Sequence, residues 1–358
     1  MERTMERPGR DAREDPGCWR KLWQALDERL GLSALQYPVP PHANTPGYSL
    51  GGITLISFLI LVATGFLLTQ YYDPMPEAAN ESVRYIVSVA ALGRLIRGLH
   101  YWAAQVMVLT IVLHLLRVFI TAAYKRPREA NWLIGVGLLG LTFGLYFTGT
   151  VIKWDQEGYE AMLHNMEGAR FLGALGIWFS AGFTRSVPML IRLFVTHVSI
   201  LPALLTLFAI AHFGLVKHHG ISLSPSAPVV EAPPESFARH ARRLAGYGLI
   251  LLGGLLALAV LFPPGIGPTP VEGVEVTKPP LPLLWLYPLE NWFGLGAVFY
   301  GSLALFLLLV LVPFVDRGPE RLPLQRRAVL AAGSLVVAVI VGLIALALLG
   351  PTAAHVGM

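Results

Sequence analysis

Apolar residues collect in seven runs along the chain, near 51–72, 99–123, 132–152, 188–216, 244–263, 294–315 and 327–350. Each is long enough, as a helix, to cross a hydrocarbon core of about 30 Å. Upstream of them, "CWRKLWQALDERLGL" places Trp19, Leu22, Trp23, Leu26 and Leu30 at helical spacing, with Arg20, Lys21, Asp27, Glu28 and Arg29 elsewhere around the wheel. That pattern predicts an interfacial helix lying on the membrane surface; a short helix packed on the protein itself is the competing reading. Residues 1–15 are charged and expected to be loose. A Pro/Ser-rich stretch, Ser222 to Ser236, separates the first four runs from the last three, and a second Pro-rich stretch, Phe262 to Pro282, joins runs five and six. Loops this long in a compact bundle are often functional. The expected fold class is an all-α membrane protein of about seven transmembrane helices. Its expected organisation is a tail with an interfacial helix over 1–46, a four-span block over 47–221, a linker over 222–243 and a three-span block over 244–358.

Composition agrees: of 358 residues, 54% are hydrophobic and only 14% charged, and the mean hydropathy is +0.59, far beyond a soluble domain of this size. Cations then set the expected orientation. Lys125, Arg126 and Arg128 follow run two; Lys217, Arg239, Arg242 and Arg243 follow run four; Arg317, Arg321, Arg326 and Arg327 follow run six. These loops and the Arg-rich tail are expected to be cytoplasmic, although Arg84, Arg94, Arg97, Lys153, Arg170 and Arg185 lie opposite. Seven spans then put the N-terminus inside and the C-terminus outside a bacterial-type cytoplasmic membrane. The net charge of +5 suits anionic headgroups on one face. With no basic run interleaved with aromatics, nucleic acid is not an expected partner. The single cysteine, Cys18, excludes disulfides, Cys-ligated zinc, iron–sulfur clusters and CxxCH haem attachment within this chain. No apolar signal-peptide core is visible in residues 1–46.

Four histidines stand inside the apolar runs. His100 and His114 are fourteen residues apart, about 21 Å along a helix and within roughly 40° of one another around it. In run four His197 and His212 are fifteen apart, roughly 22 Å. Runs two and four point the same way, so His100 levels with His197 and His114 with His212. An imidazole buried among apolar groups needs a partner, and a metal with two axial histidines supplies one at each level. Haem iron suits this better than zinc, because no third or fourth protein ligand stands at either depth. Gly51 and Gly65 in run one, and Gly135 and Gly149 in run three, repeat the interval of fourteen. Two readings of them stand: close helix packing, or room for a flat ring at each haem level. A lone intramembrane histidine is equally compatible with a proton relay; four histidines and four glycines on one period favour two haems.

On these residues the four-span block resembles cytochrome b of the bc- and bf-type quinol-oxidising complexes, most of all the bf-type b subunit. "VPPHANTPGYSLGGITL", "ATGF", "YKRPRE", "WDQEGY", "HHGIS" and "LDERL" carry the likeness, and the three-span block resembles, more weakly, that complex's subunit IV. The resemblance implies a four-helix dihaem bundle plus a three-helix C-terminal block, with two non-covalent haem b groups. His100 and His197 would hold the outer, low-potential haem; His114 and His212 the inner, high-potential one. Arg97 and Arg117 match positions that neutralise haem propionates, a role that suits an arginine fork, with lipid-headgroup snorkelling as the alternative. Quinol and quinone would be the substrates. Partners would be a Rieske iron–sulfur protein and a c-type cytochrome or equivalent, in a homodimeric complex of the respiratory-chain type.

Two departures qualify the resemblance. Ser49 stands where a bf-type cysteine anchors a third haem, so no covalent c-type haem is expected. Pro279, Pro280, Leu281 and Pro282 stand where the family carries Pro-Glu-Trp-Tyr at its outer quinol site, so the usual proton-accepting glutamate is missing. Asp155, Glu157 and Glu290 are the candidates to replace it, and Lys153 replaces the proline that usually precedes this WDQ. At the inner face, Lys217 and His218, with His219, follow His212 and offer cations and a titratable imidazole to a quinone; positive-inside anchoring is the plainer reading of them. The expected function is that of a dihaem subunit of a Rieske/cytochrome b complex. The alternatives are a dihaem conduit whose outer quinol site is lost, and a non-redox transporter or scaffold with histidine proton relays.

Overall fold

The computed structural model describes residues 18–353 apart from 32, 34–35, 224 and 226–232; the expectation for residues 1–15, part of the linker and the extreme C-terminus lie outside the described residues. Helix α1 (Cys18–Leu30) precedes the first span, α2 (Pro46–Leu68). No residue of α1 is buried, and Trp19 is 82% exposed; its apolar stripe therefore does not pack on this chain. A short α3 (Pro76–Ser88) leads to the second span, α4 (Gly93–Ile120), and the third, α5 (Glu129–Ile152). A surface helix, α6 (Gln156–Gly168), starts where the Asp155 carboxylate accepts a hydrogen bond from Gly158 N, an N-cap.

The fourth span is composite. It begins as α7 (Met189–Val195), widens into one π turn over Thr196–Ile200 and continues as α8 (Leu201–His219). Pro202, just beyond that turn, has no N–H to give to the carbonyl four residues back. The remaining spans are α9 (Phe237–Leu261), α11 (Leu295–Val315) and α12 (Arg327–Leu349), with a short α10 (Tyr287–Phe293) before α11. Helix α9 thus begins at Phe237, inside the stretch expected to be linker. Among the described residues seven helices, the composite fourth span taken as one, are long and apolar enough to cross a membrane, matching the seven apolar runs.

Helix α2 packs mainly on α4, α5 on α8, and α9 on both α4 and α2. The most apolar windows of α11 and α12 are only 6% buried. Faces so apolar and so open suit lipid or other subunits rather than water. The bundle has one basic end, where Lys125, Lys217 and Arg326 lie, and an opposite end capped by α3, α6 and the Pro-rich loop between α9 and α10.

Candidate functional site

The four histidines come together in two tiers. The His100 and His197 rings lie with centroids 6.4 Å apart near the Pro-rich end, and those of His114 and His212 lie 6.5 Å apart near the basic end. Two ring nitrogens held about 2.0 Å from one ion leave their ring centres about 6 Å apart, so each tier fits a single iron between two imidazoles. Among the described residues no group of three or more His, Cys, Asp and Glu gathers around a common point, in keeping with two protein ligands per tier.

Each of the four periodic glycines faces one of these rings. A β-carbon on Gly51 would stand 3.1 Å from His114 Cε1, on Gly65 3.2 Å from His100 Cε1, on Gly149 3.1 Å from His197 Cε1 and on Gly135 3.5 Å from His212 Cε1. The flat ring these glycines admit is thus the imidazole, and a porphyrin would be approached through it. The fifteen-residue interval on the fourth span also finds its cause. The π turn that contains His197 takes up one extra residue, and His212 keeps the face that an interval of fourteen gives on α4.

Two threonines absent from the sequence reading complete the tier at the Pro-rich end. Thr64 Oγ1 lies 3.0 Å from His100 Nδ1, and Thr148 Oγ1 lies 2.9 Å from His197 Nδ1. Each immediately precedes one of the periodic glycines, in "ATGF" and "FTGT", a repeated Thr-Gly pair that marks their positions without showing that they meet an imidazole. At the basic end Ser49 is buried, and its hydroxyl donates to the Thr45 carbonyl at 3.0 Å. Arg117 Nη2 is 3.4 Å from His114 Nδ1, its guanidinium lies 4.5 Å from the Tyr48 ring centre, and both its Nε and the Tyr48 hydroxyl are buried without a hydrogen-bond partner. Such orphaned donors suit a group that brings carboxylates, as haem does. Arg97 lines the space beside His100 and donates to the Pro264 and Gly265 carbonyls at 2.7 and 2.9 Å. Lys217 and His218 stand exposed at the end of α8, and the His218 and His219 rings are 4.7 Å apart.

A cavity of about 1170 Å³ opens beside His100 and His197, larger than the roughly 300–1,000 Å³ of a usual ligand site. Tyr101, Tyr146, Lys153, Asp155, Glu157 and Lys278 are among its lining residues, with residues 264–268 of the Pro-rich loop. Polar side chains strap that loop across the opening. Gly267 N donates to Asp155 Oδ2 at 2.7 Å, Val271 N to Gln156 Oε1 at 2.7 Å, and Val276 N and Thr277 N to the Glu160 carboxylate at 2.8 and 2.9 Å. Gln156, Glu160 and Arg84, which donates to the Gly267 carbonyl at 2.9 Å, were not singled out by sequence, because the partners they serve are backbone atoms more than a hundred residues away.

The three candidate proton acceptors do not share one place. Asp155 is buried and spends its oxygens on Gly158 N, Gly267 N and Lys153 Nζ, the last at 3.1 Å. Glu157 lines the same cavity and pairs closely with Lys153. Burial alone would lower the Lys153 ammonium, yet Glu157 and Asp155 hold it above its ordinary value. Glu290 is not brought to the cavity lining; it is buried on α10 with its carboxylate 3.1 Å from His164 Nε2.

Residues 34–220 match the family described as Cytochrome b/b6/petB. The cytochrome b6 of Heliobacterium modesticaldum is 41% identical over 198 residues, covering 54% of this chain and 93% of that protein. The cytochrome b6 of Gloeobacter violaceus is 39% identical over 212 residues, covering 56% of this chain and 98% of its own. A chain of a hyperthermophilic respiratory Complex III superposes with a TM-score of 0.78 over 92% of both chains at 23% identity, a likeness of fold that extends through the three-span block.

Proposed function

Because the chain belongs to the cytochrome b/b6 family, an integral-membrane, haem-b-binding class of redox subunit, we propose that it is the dihaem subunit of a Rieske/cytochrome b complex. It carries electrons between quinol and quinone sites on the two membrane faces and toward a high-potential acceptor chain. The observation that carries this reading is the pair of facing imidazoles at each of two depths, 6.4 and 6.5 Å between ring centres. His100 and His197 are assigned to the outer haem, His114 and His212 to the inner one. Bound there, the two irons supply one-electron redox chemistry spanning the membrane. Rieske protein, a c-type cytochrome or equivalent, and a second copy of the chain are the proposed partners. The basic end faces the cytoplasm of a bacterial-type inner membrane.

The chain's own residues do the positioning and the proton work. The glycines admit the imidazoles, Arg117 and Tyr48 offer donors to haem carboxylates, and the strapped loop forms one wall of the outer cavity. A quinol oxidised in that cavity must shed protons as well as electrons. Glu157 is the acceptor the geometry supports, since it lines the cavity and, unlike Asp155, holds no loop backbone. Glu157→Gln should therefore lower quinol oxidation about a hundredfold or more with haem content unchanged, the range expected for loss of a general base; unaltered turnover removes Glu157 from the reaction. The alternative, a conduit without outer quinol chemistry, draws on the displacement of Glu290 from the cavity, and quinol-dependent haem reduction blocked by outer-site inhibitors would reject it.

Purified protein should show b-type bands in a reduced-minus-oxidised spectrum and two haems per chain by pyridine haemochrome. His114→Ala should keep one of them, the outer. A preparation colourless in the Soret region after haem-replete expression, or His114→Ala protein retaining both haems, overturns the assignment.

A further inference from the structure

The two tiers are built alike except at one atom of each imidazole. At the outer tier both Nδ1 atoms meet a threonine hydroxyl. Thr64 Oγ1 lies 2.7 Å from the Ile60 carbonyl, and Thr148 Oγ1 lies 2.8 Å from the Gly144 carbonyl. Each hydroxyl thus gives its one proton to its own helix, and the oxygen left facing the imidazole, at 3.0 and 2.9 Å, accepts. The ring proton therefore sits on Nδ1, and Nε2 carries the lone pair for a metal.

The inner tier lacks this device. Its glycines, Gly51 and Gly135, are preceded by Leu50 and Ile134, which carry no hydroxyl. His212 Nδ1 is buried and makes no well-formed hydrogen bond, with only the Asn131 backbone carbonyl on its side, and His114 Nδ1 faces the Arg117 guanidinium at 3.4 Å. A guanidinium has no acceptor, so it cannot draw the ring proton outward.

We infer that Thr64 and Thr148 are positioning residues that set the outer haem's potential below the inner one. The inference rests on the dihaem reading above. A histidine that donates its second N–H to an acceptor becomes a more basic ligand and stabilises the more positive, oxidised iron. Two such ligands act together at the outer tier. At the inner tier no hydroxyl meets either ring, His212 has only the Asn131 backbone carbonyl on its side, and a cation beside His114 favours the reduced, less positive iron. Arg97 brings a cation to the outer tier too, but it is held by the Pro264 and Gly265 carbonyls. The potentials then fall in the order that lets an electron released at the outer cavity run inward.

Spectroscopic redox titration of the full-length chain in membranes tests this with Thr64→Val and Thr148→Val, each close in shape to threonine, and with the matching Thr→Ser variants, which keep the hydroxyl. Each Val variant should favour reduction of the outer haem about tenfold, a rise of about 59 mV for one electron. The inner haem should stay in place in the titration, and the Ser variants should titrate as the unsubstituted chain. Unmoved outer potentials in both Val variants, a shift in the inner haem instead, or Ser variants that shift as far as Val would overturn the inference. Loss of the outer haem from both Val variants would also overturn it, by showing that the threonines hold the ring rather than tune it. Haem counts on the unsubstituted chain keep the two claims apart: fewer than two haems sinks the dihaem reading, whereas two haems with unresponsive potentials sinks only the role of the threonines.

Discussion

A β-carbon is the smallest change that reports on the imidazole tiers, and the four glycines are not equivalent to it. At Gly51, Gly65 and Gly149 it would come within 3.1–3.2 Å of a histidine carbon, but at Gly135 only within 3.5 Å, ordinary van der Waals contact. Gly51→Ala, Gly65→Ala and Gly149→Ala should displace a ligand ring and lower haem content or shift its bands, while Gly135→Ala should leave both haems spectrally unchanged. Haem content per chain and the low-temperature b-band spectrum check it, and a uniform response of the four would show that the glycines serve helix packing alone. The histidines and glycines were legible as a set because they share a period. Thr64 and Thr148 were not, since a threonine in an apolar helix ordinarily bonds its own i−4 carbonyl, as these also do. Only the neighbouring helix brings the imidazole that makes them different. Arg97 was singled out by its match to a family position beside His100, and the folded loop supplied it with carbonyl partners that no local pattern announces.

Among the elements, α6 and α10 are joined by an ion pair that depends on pH. His164 lies 3.1 Å from the Glu290 carboxylate and 3.5 Å from that of Glu275, and its Nδ1 donates to the Glu160 carbonyl at 2.8 Å. Burial by itself would push this imidazole down, but the hydrogen bond to Glu290 and its charge, with Glu160 and Glu275, carry it up to about 9 from an ordinary 6.5. The folded value lies above the unfolded one, so the contribution is complete below about pH 6.5 and is lost as pH rises through about 9. It should amount to at most about 3 kcal/mol. Thermal unfolding followed by haem release should fall in midpoint between pH 6.5 and pH 9.5, and His164→Gln should flatten that slope. Equal slopes would remove the pair from the stability of this cap. The fourth span shows where element boundaries were legible and where they were not. Its hydrophobic length announced one helix, whereas the π turn at Thr196–Ile200 was hidden because a single wide turn leaves hydropathy unchanged. Helix α9 began inside the expected linker for a related reason: the apolar run starts only at 244, whereas the charges of "FARHARRL" fit a helix end at the membrane surface.

Across the whole molecule, the two blocks are clamped at the basic end by one carboxylate. Asp316, after α11, meets Lys125 Nζ at 2.8 Å, Arg326 Nη2 at 2.7 Å and the Tyr124 hydroxyl at 2.6 Å. Lys125 and Tyr124 belong to the four-span block, Asp316 and Arg326 to the three-span block. Although burial would raise the Asp316 carboxyl, the hydrogen bonds from Lys125 and Tyr124 and the Arg326 charge hold it below its ordinary value. This stability is present above the unfolded carboxyl's pKa and is lost as pH falls through the lower, folded one. Asp316→Asn leaves two buried cations without a counter-charge and should cost about 3–5 kcal/mol, seen as earlier thermal release of the α11–α12 region to protease. Unchanged protection would mean the blocks are held by apolar packing alone. Hydrophobic run length determined the seven spans, because crossing lipid demands uninterrupted apolar helix. Spacing determined which histidines share a depth, because the helix converts residue intervals into height and angle. What the chain could not announce by itself is which polar side chain meets which distant atom. The loop carbonyls on Arg97, the threonine oxygens on the outer imidazoles and the partners of Asp316 follow from how the helices pack, and a hydrogen bond exists only once both ends have been brought within about 3 Å.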